Sequence, residues 1–411
     1  MAEPDTETVA GAADQSAVSA AFSWRPVLLA CLVISIGQFG MGLVFPSLPW
    51  IAKDFGISID QAQLLISVYL LGFGPSQFIY GPISDALGRR RVLLAGILLA
   101  VAGLMLLIFA SDSFYGLVAG RLMQGLGAGC CAVLARASTR DSYTGEQLPQ
   151  ALSYLTMVAS FTPIFAPVIG GFINHHFGWL SVFIVLASYI TLVWFALYLM
   201  FKETMHDKQA VPSVKKIVGD YRSLLSSRYF LSFASIGWLN FSLVVTTISL
   251  MPFIMQVQIG MTSDEYAMWA LLPTAGLFAG GFLVSRLRAR IGTQRMLYLA
   301  PAVHLIAAFW FILAPLTPLM MMLGQFLMVF GNGIAMPCAQ SQVMLPYRKQ
   351  AGTVAALSGG GQMLLSALVS MALIKLGIHQ AWQLGCVIGV FALIVTLNIR
   401  SGFRTPFPDS Q

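Results

Sequence analysis

Arg121 is the one charged side chain in the run from Phe114 to Val133, among apolar and small residues. A guanidinium inside an apolar span is expensive, so such a residue marks a functional site by default. What it can do there is grip an acceptor-bearing molecule or respond to proton movement. Bond-making chemistry needs partners, and they are missing. All 16 acidic residues fall in tails, loops or the ends of apolar runs, so no carboxylate shares the depth of Arg121. No GxSxG, HExxH, GxGD or paired carboxylate occurs in those runs, which excludes a membrane-embedded hydrolase. His175 and His176 have no ligand partners at metal spacing, and the reading is of a protein with no metal and no cofactor.

The elements that must hold Arg121 follow from composition. Only 9% of the 411 residues are charged and 57% are apolar, too little polar surface to cover a soluble globule. Crossing about 30 Å of hydrocarbon takes roughly 20 apolar residues. Such stretches occur near 26–48, 60–83, 92–110, 113–137, 148–173 and 179–201, then near 229–255, 264–285, 294–314, 316–340, 350–376 and 380–399. The basic residues gather on one side of this ladder, at Arg25, Arg89 to Arg91, Arg136, Arg140 and the segment after Lys202. The other side holds Lys53 and Lys375. This bias predicts both termini in the cytoplasm. It also accounts for the net charge of +7 without nucleic acid, since no basic face is interleaved with aromatics. Residues 1–22 read as a disordered cytoplasmic tail without a signal peptide. A six-helix bundle over 23–201, a cytoplasmic linker over 202–228, a second bundle over 229–400 and a short tail over 401–411 complete the organisation.

The bundles read as repeats. Gly120, Gly127 and Gly129 fall on Gly324, Gly331 and Gly333 at one offset, 324 minus 120 or 204, and the same offset sets Gly88 on Gly292 and Arg91 on Arg295. Two repeats related by an axis along the membrane normal, with a site between them, suit a transporter.

Three motifs then carry a resemblance. Gly81-Pro82-Ile83-Ser84-Asp85-Ala86-Leu87-Gly88-Arg89-Arg90-Arg91, read as a short turn, closely resembles the GxLSDxxGRR signature of the major facilitator superfamily. Arg121-Leu122-Met123-Gln124-Gly125-Leu126-Gly127 is similar to its RxxQGxG pattern. The run Thr162 to Gly171, with Pro163, Pro167, Gly170 and Gly171, looks like its antiporter motif GxxxGPxxGG, two glycines being replaced by Thr162 and Ala166. Ile36 to Phe39, Phe45 to Pro49 and Arg140 to Tyr143 extend the likeness to the drug:proton antiporters of the Bcr/CflA group.

That resemblance implies an all-α membrane protein with the major facilitator fold, 12 transmembrane helices in two pseudo-symmetric six-helix bundles. It implies a monomer exporting small lipophilic compounds in exchange for protons across a bacterial inner membrane, with membrane lipid as its surroundings. Asp85 and Arg89, with Gly81, Gly88, Arg90 and Arg136, would form a cytoplasmic gate that latches the halves when the transporter faces outward. Arg121 would take part in proton coupling. Many relatives place a carboxylate in the first helix; here Gln38 stands at the cavity position. Coupling is therefore expected at Asp85 or Asp141, around Arg121, or on an ionisable substrate, and neutral or weakly anionic substrates are favoured over bulky cations. Candidate substrate contacts are Gln38, Tyr69, Gln124, Tyr154, Asn240, Trp269, Gln325 and Asn332. His304 is expected to be packed, and Trp50, Trp179 and Trp382 to anchor the outer boundary. The competing reading is a facilitator or symporter importing a sugar or organic acid.

Overall fold

A helix of 29 residues, the length of both Ile59–Leu87 and Phe114–Ser142, is roughly 43 Å long at 1.5 Å per residue and outruns a hydrocarbon core of about 30 Å. The helices therefore carry their ends into the polar layers, and the charged residues at the span borders sit on helix rather than in loops. The structure, a computed structural model, describes residues 22–145, 147–205, 214–347 and 350–407. Apart from Phe22, the expected N-terminal tail lies outside the described residues.

The elements are α1 (Trp24–Gly42), a 3₁₀ turn (Phe45–Ser47), α2 (Leu48–Phe55), α3 (Ile59–Leu87), α4 (Arg89–Phe109), α5 (Phe114–Ser142), α6 (Gln147–Phe177) and α7 (Trp179–Met200). After them come α8 (Val214–Ser226), α9 (Arg228–Pro252), a π-helical turn (Phe253–Gln258), α10 (Ser263–Trp269), α11 (Leu271–Ile291), α12 (Thr293–Leu313), α13 (Pro318–Met344), α14 (Ala351–Lys375) and α15 (Ala381–Arg404). Among the described residues 12 helical stretches are long and apolar enough to cross a membrane, the first combining α1 and α2, the seventh α9 with its π turn, and the eighth α10 with α11. This is a multi-pass membrane protein.

The expected turn over Gly81 to Arg91 is corrected. Helix α3 continues to Leu87, and the chain reverses at Gly88 alone, where φ is 98°. A side chain there would be strained by the backbone and would run into the Glu203 carboxylate. His175 and His176 belong to the last turn of α6.

Packing confirms the repeat. A Cβ on Gly120 would meet the Gly103 carbonyl of α4 at 2.6 Å, and one on Gly324 would meet Phe311 of α12 at 3.0 Å. Gly127 abuts Ala100 of α4, while Gly331 abuts His304 of α12, and residue 304 is 100 plus 204. Gly129 touches α3 and Gly333 touches α11. Each pair of equivalent glycines faces equivalent neighbours, and Gly292 reverses the chain at φ 84° as Gly88 does at 98°. His304 is fully buried with Nε2 3.0 Å from the Met328 carbonyl, a packed histidine between α12 and α13.

The N-terminal half has one continuous apolar core, whereas that of the C-terminal half divides in two. Asn240 on α9 and Asn332 on α13 fall between those two clusters along their helices. The halves meet along α3 and α14 and along α6 and α10. Residues 202–228, expected as a polar linker, contain the amphipathic helix α8. Its Tyr221 ring sits 5.3 Å from Phe78 of α3 and Leu224 is buried in the C-terminal half, so α8 touches both bundles.

Candidate transport path and its two gates

Arg121 is fully buried where α1, α3 and α5 meet. Its Nη1 donates to the Gly40 carbonyl at 2.8 Å and to Gln124 Oε1 at 2.7 Å, and its Nε donates to the Leu65 carbonyl at 3.2 Å. The guanidinium lies 4.4 Å from the centre of the Tyr69 ring, whose hydroxyl donates to the Gly37 carbonyl at 2.9 Å. Neutral acceptors and an aromatic face thus replace the missing carboxylate. One nitrogen, Nη2, has no protein partner, nor does Nε2 of Gln124. The site therefore retains donors to offer to an acceptor.

From this pocket α3 runs on from Tyr69 to Asp85, roughly 24 Å at 1.5 Å per residue. Tyr69 and Phe73 are stacked rings that close the inner part. Gln77, Gly81 and Asp85 line a cavity of about 400 Å³ between the halves, whose far wall is Thr353 and Ala356 of α14 with Tyr221 of α8. Burial, followed by the neighbouring Asp220 carboxylate, holds the Tyr221 phenol above its ordinary pKa, so that wall is uncharged at the ring.

At the cavity mouth Arg89 is almost buried. It pairs with Asp85, donates to Asp141 Oδ2 at 3.0 Å and to Ser84 Oγ at 2.6 Å. Thr204 Oγ1 also donates to Asp141, at 3.2 Å. Glu203 accepts from the backbone N–H groups of Arg89 (2.8 Å) and Arg90 (3.2 Å), a carboxylate on the positive end of α4. Arg90 donates to the Phe201 and Tyr198 carbonyls, satisfying the end of α7, and Arg136 bonds its own helix at Ala132. All these contacts close within the N-terminal half and the first residues of the segment that follows it. The latch between halves is not made here, because α14 stands across the cavity. Glu203→Ala is expected to destabilise the protein by about 1–2 kcal/mol through loss of this cap. A fall of a few degrees in the melting temperature of the purified protein checks it.

The opposite face is sealed. Ser263 Oγ accepts from Trp50 Nε1 at 2.7 Å and from Asn174 Nδ2 at 2.8 Å, and donates to Gln256 Oε1 at 2.9 Å. Gln256 Nε2 then donates to the Pro46 carbonyl at 3.0 Å. Trp50, Asn174 and Pro46 belong to one half and Gln256 and Ser263 to the other. Trp50, expected only as a boundary anchor, is thus part of the gate, while Trp179 donates to Asp54 at 2.6 Å. Ser263→Ala leaves the Asn174 donor without its acceptor and is expected to cost the sealed form about 1–3 kcal/mol. Spin-label distances across the seal should report a shift of roughly tenfold or more toward the open form.

The small residues of α6 explain its close approach. Gly170 lies against the carbonyl of Leu43, the residue that caps α1, and a Cβ on Gly171 would meet Ala267 Cβ at 2.5 Å and the Ser263 carbonyl at 2.6 Å, across the halves. Pro163 and Pro167 lie within α6 without ending it.

Of the expected substrate contacts, Tyr69 and Gln124 join Arg121, and Gln38 lies half-buried on α1 two residues before Gly40. Asn240, Gln325 and Asn332 are buried in the C-terminal half, each with an oxygen lacking a protein partner. Tyr154 is apart from these, 5.2 Å from the Trp24 ring at the start of α1. Trp269 borders a groove with Phe172 between α10 and α6. Sequence reasoning missed Glu203, Thr204, Asn174, Gln256 and Ser263. Only the capping box Thr262 to Glu265 signalled a structured start to α10.

Twelve membrane-crossing helices in two related halves, sealed on one face and hollow on the other, define a membrane transporter and not an enzyme. The chain belongs to the Major Facilitator Superfamily, whose model matches residues 28–371. Multidrug resistance protein D of Escherichia coli strain K12 is 26% identical over 377 residues, covering 90% of this chain and 94% of that protein. Multidrug resistance protein MdtL of Shewanella oneidensis is 30% identical over 346 residues, covering 80% and 86%. Among solved structures, a bacterial homolog of the human lysosomal transporter Spinster, inward-facing and unoccupied, matches with a TM-score of 0.70 at 15% identity, covering 92% of this chain and 97% of that one. A D-xylose–proton symporter matches with a TM-score of 0.70 at 14% identity, covering 91% and 97%. These structural likenesses show the fold.

Proposed function

We propose that this transporter exports small lipophilic compounds in exchange for protons across a bacterial inner membrane by alternating access. The observation that carries the reading is similarity over most of the chain to proteins named for multidrug resistance. The one-sided basic residues support cytoplasmic termini, which puts the cavity at Asp85 on the inner face and the Ser263 seal on the outer face. In that orientation the molecule faces inward, ready to load from the cytoplasm.

Substrates with an acceptor group and little or no positive charge fit best. The Arg121 Nη2 is a buried donor awaiting an acceptor, and the partners that surround the guanidinium are neutral, with no carboxylate beside it to attract a cation. Gln38, Tyr69 and Gln124 serve as contacts from one half, and Asn240, Gln325 and Asn332 from the other. Asp85 and Asp141, held by Arg89, are the carboxylates placed to exchange protons at the inner mouth.

The test is proteoliposomes containing a pH dye, with an inward proton gradient and a panel of neutral, anionic and cationic lipophiles. Proton flux driven by neutral or anionic compounds is expected. Transport with no proton movement would overturn the exchange mechanism, and preferential export of tetraphenylphosphonium would overturn the substrate class.

A further inference from the structure

The seal contains two titratable contacts that the transport reading does not use. His379, in the loop between α14 and α15, places Nε2 2.5 Å from Asp60 Oδ1 at the start of α3. His175, on the last turn of α6, places Nδ1 3.2 Å from Asp264 Oδ1 on α10. Each pair joins one half to the other. They lie on different contact lines, α3 with α14 and α6 with α10, so together they pin the seal in two places. All four side chains are between 33% and 39% exposed, open enough to exchange protons with the outer solution.

The neighbouring charges are already engaged. Asp54 accepts from Trp179, and Lys53 stands over the Trp50 ring at 5.7 Å. Glu265 accepts from the Thr262 backbone in the capping box that opens α10. His176 lies beside His175 and its Nδ1 is 3.0 Å from the Phe172 carbonyl. Lys375 sits in the last turn of α14, before the His379 loop. Asp60 and Asp264 are thus the carboxylates in contact with the two imidazoles.

We propose that His379–Asp60 and His175–Asp264 are paired proton-binding sites that hold the outer gate shut when the external solution is acidic. At His379–Asp60 a neutral imidazole offers the carboxylate one ordinary hydrogen bond and imidazolium a charge-assisted one; at His175–Asp264, which is an ion-pair distance without hydrogen-bond geometry, protonation adds the attraction of opposite charges. Opening the seal separates the partners, so protons bind better to the sealed form and, by linkage, acid shifts the population toward it. The sign follows: stabilisation of the seal is present where the imidazoles carry a proton and is lost as external pH rises. In an exporter this speeds the return from outward- to inward-facing when the external proton supply is high.

The inference rests on the alternating-access reading and on its orientation, but its readout is conformational. Spin labels on the outer ends of α2 and α11 of the full-length protein, in a background retaining all four pair residues, report the closed-to-open ratio at pH 8 and pH 5.5. The ratio is expected to rise about fivefold, the size that two partly exposed ion pairs supply. The double substitution His175→Gln with His379→Gln keeps a hydrogen-bond donor at each site but cannot titrate, and should flatten the response. Asp60→Asn with Asp264→Asn should flatten it too. A pH-independent ratio in the unsubstituted protein, or an undiminished response in the double glutamine variant, overturns the proposal. Loss of substrate transport with the pH response intact would instead fault the assigned function alone.

Discussion

Arg121→Ala is expected to lower proton-linked transport about 100-fold, the equivalent of a charged hydrogen-bond anchor of about 3 kcal/mol. The side chain fills the junction of α1, α3 and α5, where its removal leaves Gln124 Oε1 without its donor and Tyr69 without its cation. Some loss of stability will accompany this, so Arg121→Lys is the sharper probe. An ammonium keeps the charge, yet it cannot reproduce a planar fork reaching Gly40, Leu65 and Gln124 at once. Roughly tenfold slower transport is expected for lysine, with substrate-dependent proton flux in proteoliposomes as the measurement. Wild-type flux in the lysine variant would mean that charge alone suffices and that the fork has no role.

Gly171→Val is the second large effect. Its Cβ would stand 2.5 Å from Ala267 Cβ and 2.6 Å from a backbone oxygen of Ser263, which has no freedom to withdraw. The clash lies between the halves, so either half can still pack while the outer seal cannot close. Transport is expected to fall at least about tenfold, from an overpacking cost of about 1–3 kcal/mol or more placed on one conformation. The variant should keep its melting temperature and show spin-label distances of an outward-open molecule. Gly170→Val is the contrast: its obstacle, the Leu43 carbonyl, belongs to the same half. Stability should therefore fall along with transport. A Gly171→Val protein that still adopts the sealed form would show that α6 and α10 have slack that the structure does not suggest.

The membrane-crossing plan was legible in the sequence because hydrophobic length is a coarse signal, and the twofold repeat because glycines at close helix contacts cannot drift without a clash. Arg121 stood out for the same reason, as a charge in an apolar run. What escaped was everything that depends on two distant segments meeting. Ser263 and Asn174 are unremarkable polar residues until α6 and α10 come together, and Glu203 looked like part of a linker before it met the start of α4. Helix α8 was overlooked although Val214, Val218, Tyr221 and Leu225 recur at helical spacing, because the basic residues around them drew the reading toward loop. Tyr154 shows the converse error of inference from type alone: an aromatic residue on a plausible helix that keeps company with Trp24.

The glycine contacts that wedge α5 between α3 and α4 carry a mechanical meaning. Backbone resting on backbone leaves no compliant side chains to absorb shear, so this trio behaves as one stiff plate. Strain from a bound molecule at Arg121 is carried to the edges of the plate, at the Arg89 cluster on one rim and the Asp60 contact with His379 on the other. Rigidity in the middle is thus what lets two distant rims exchange information.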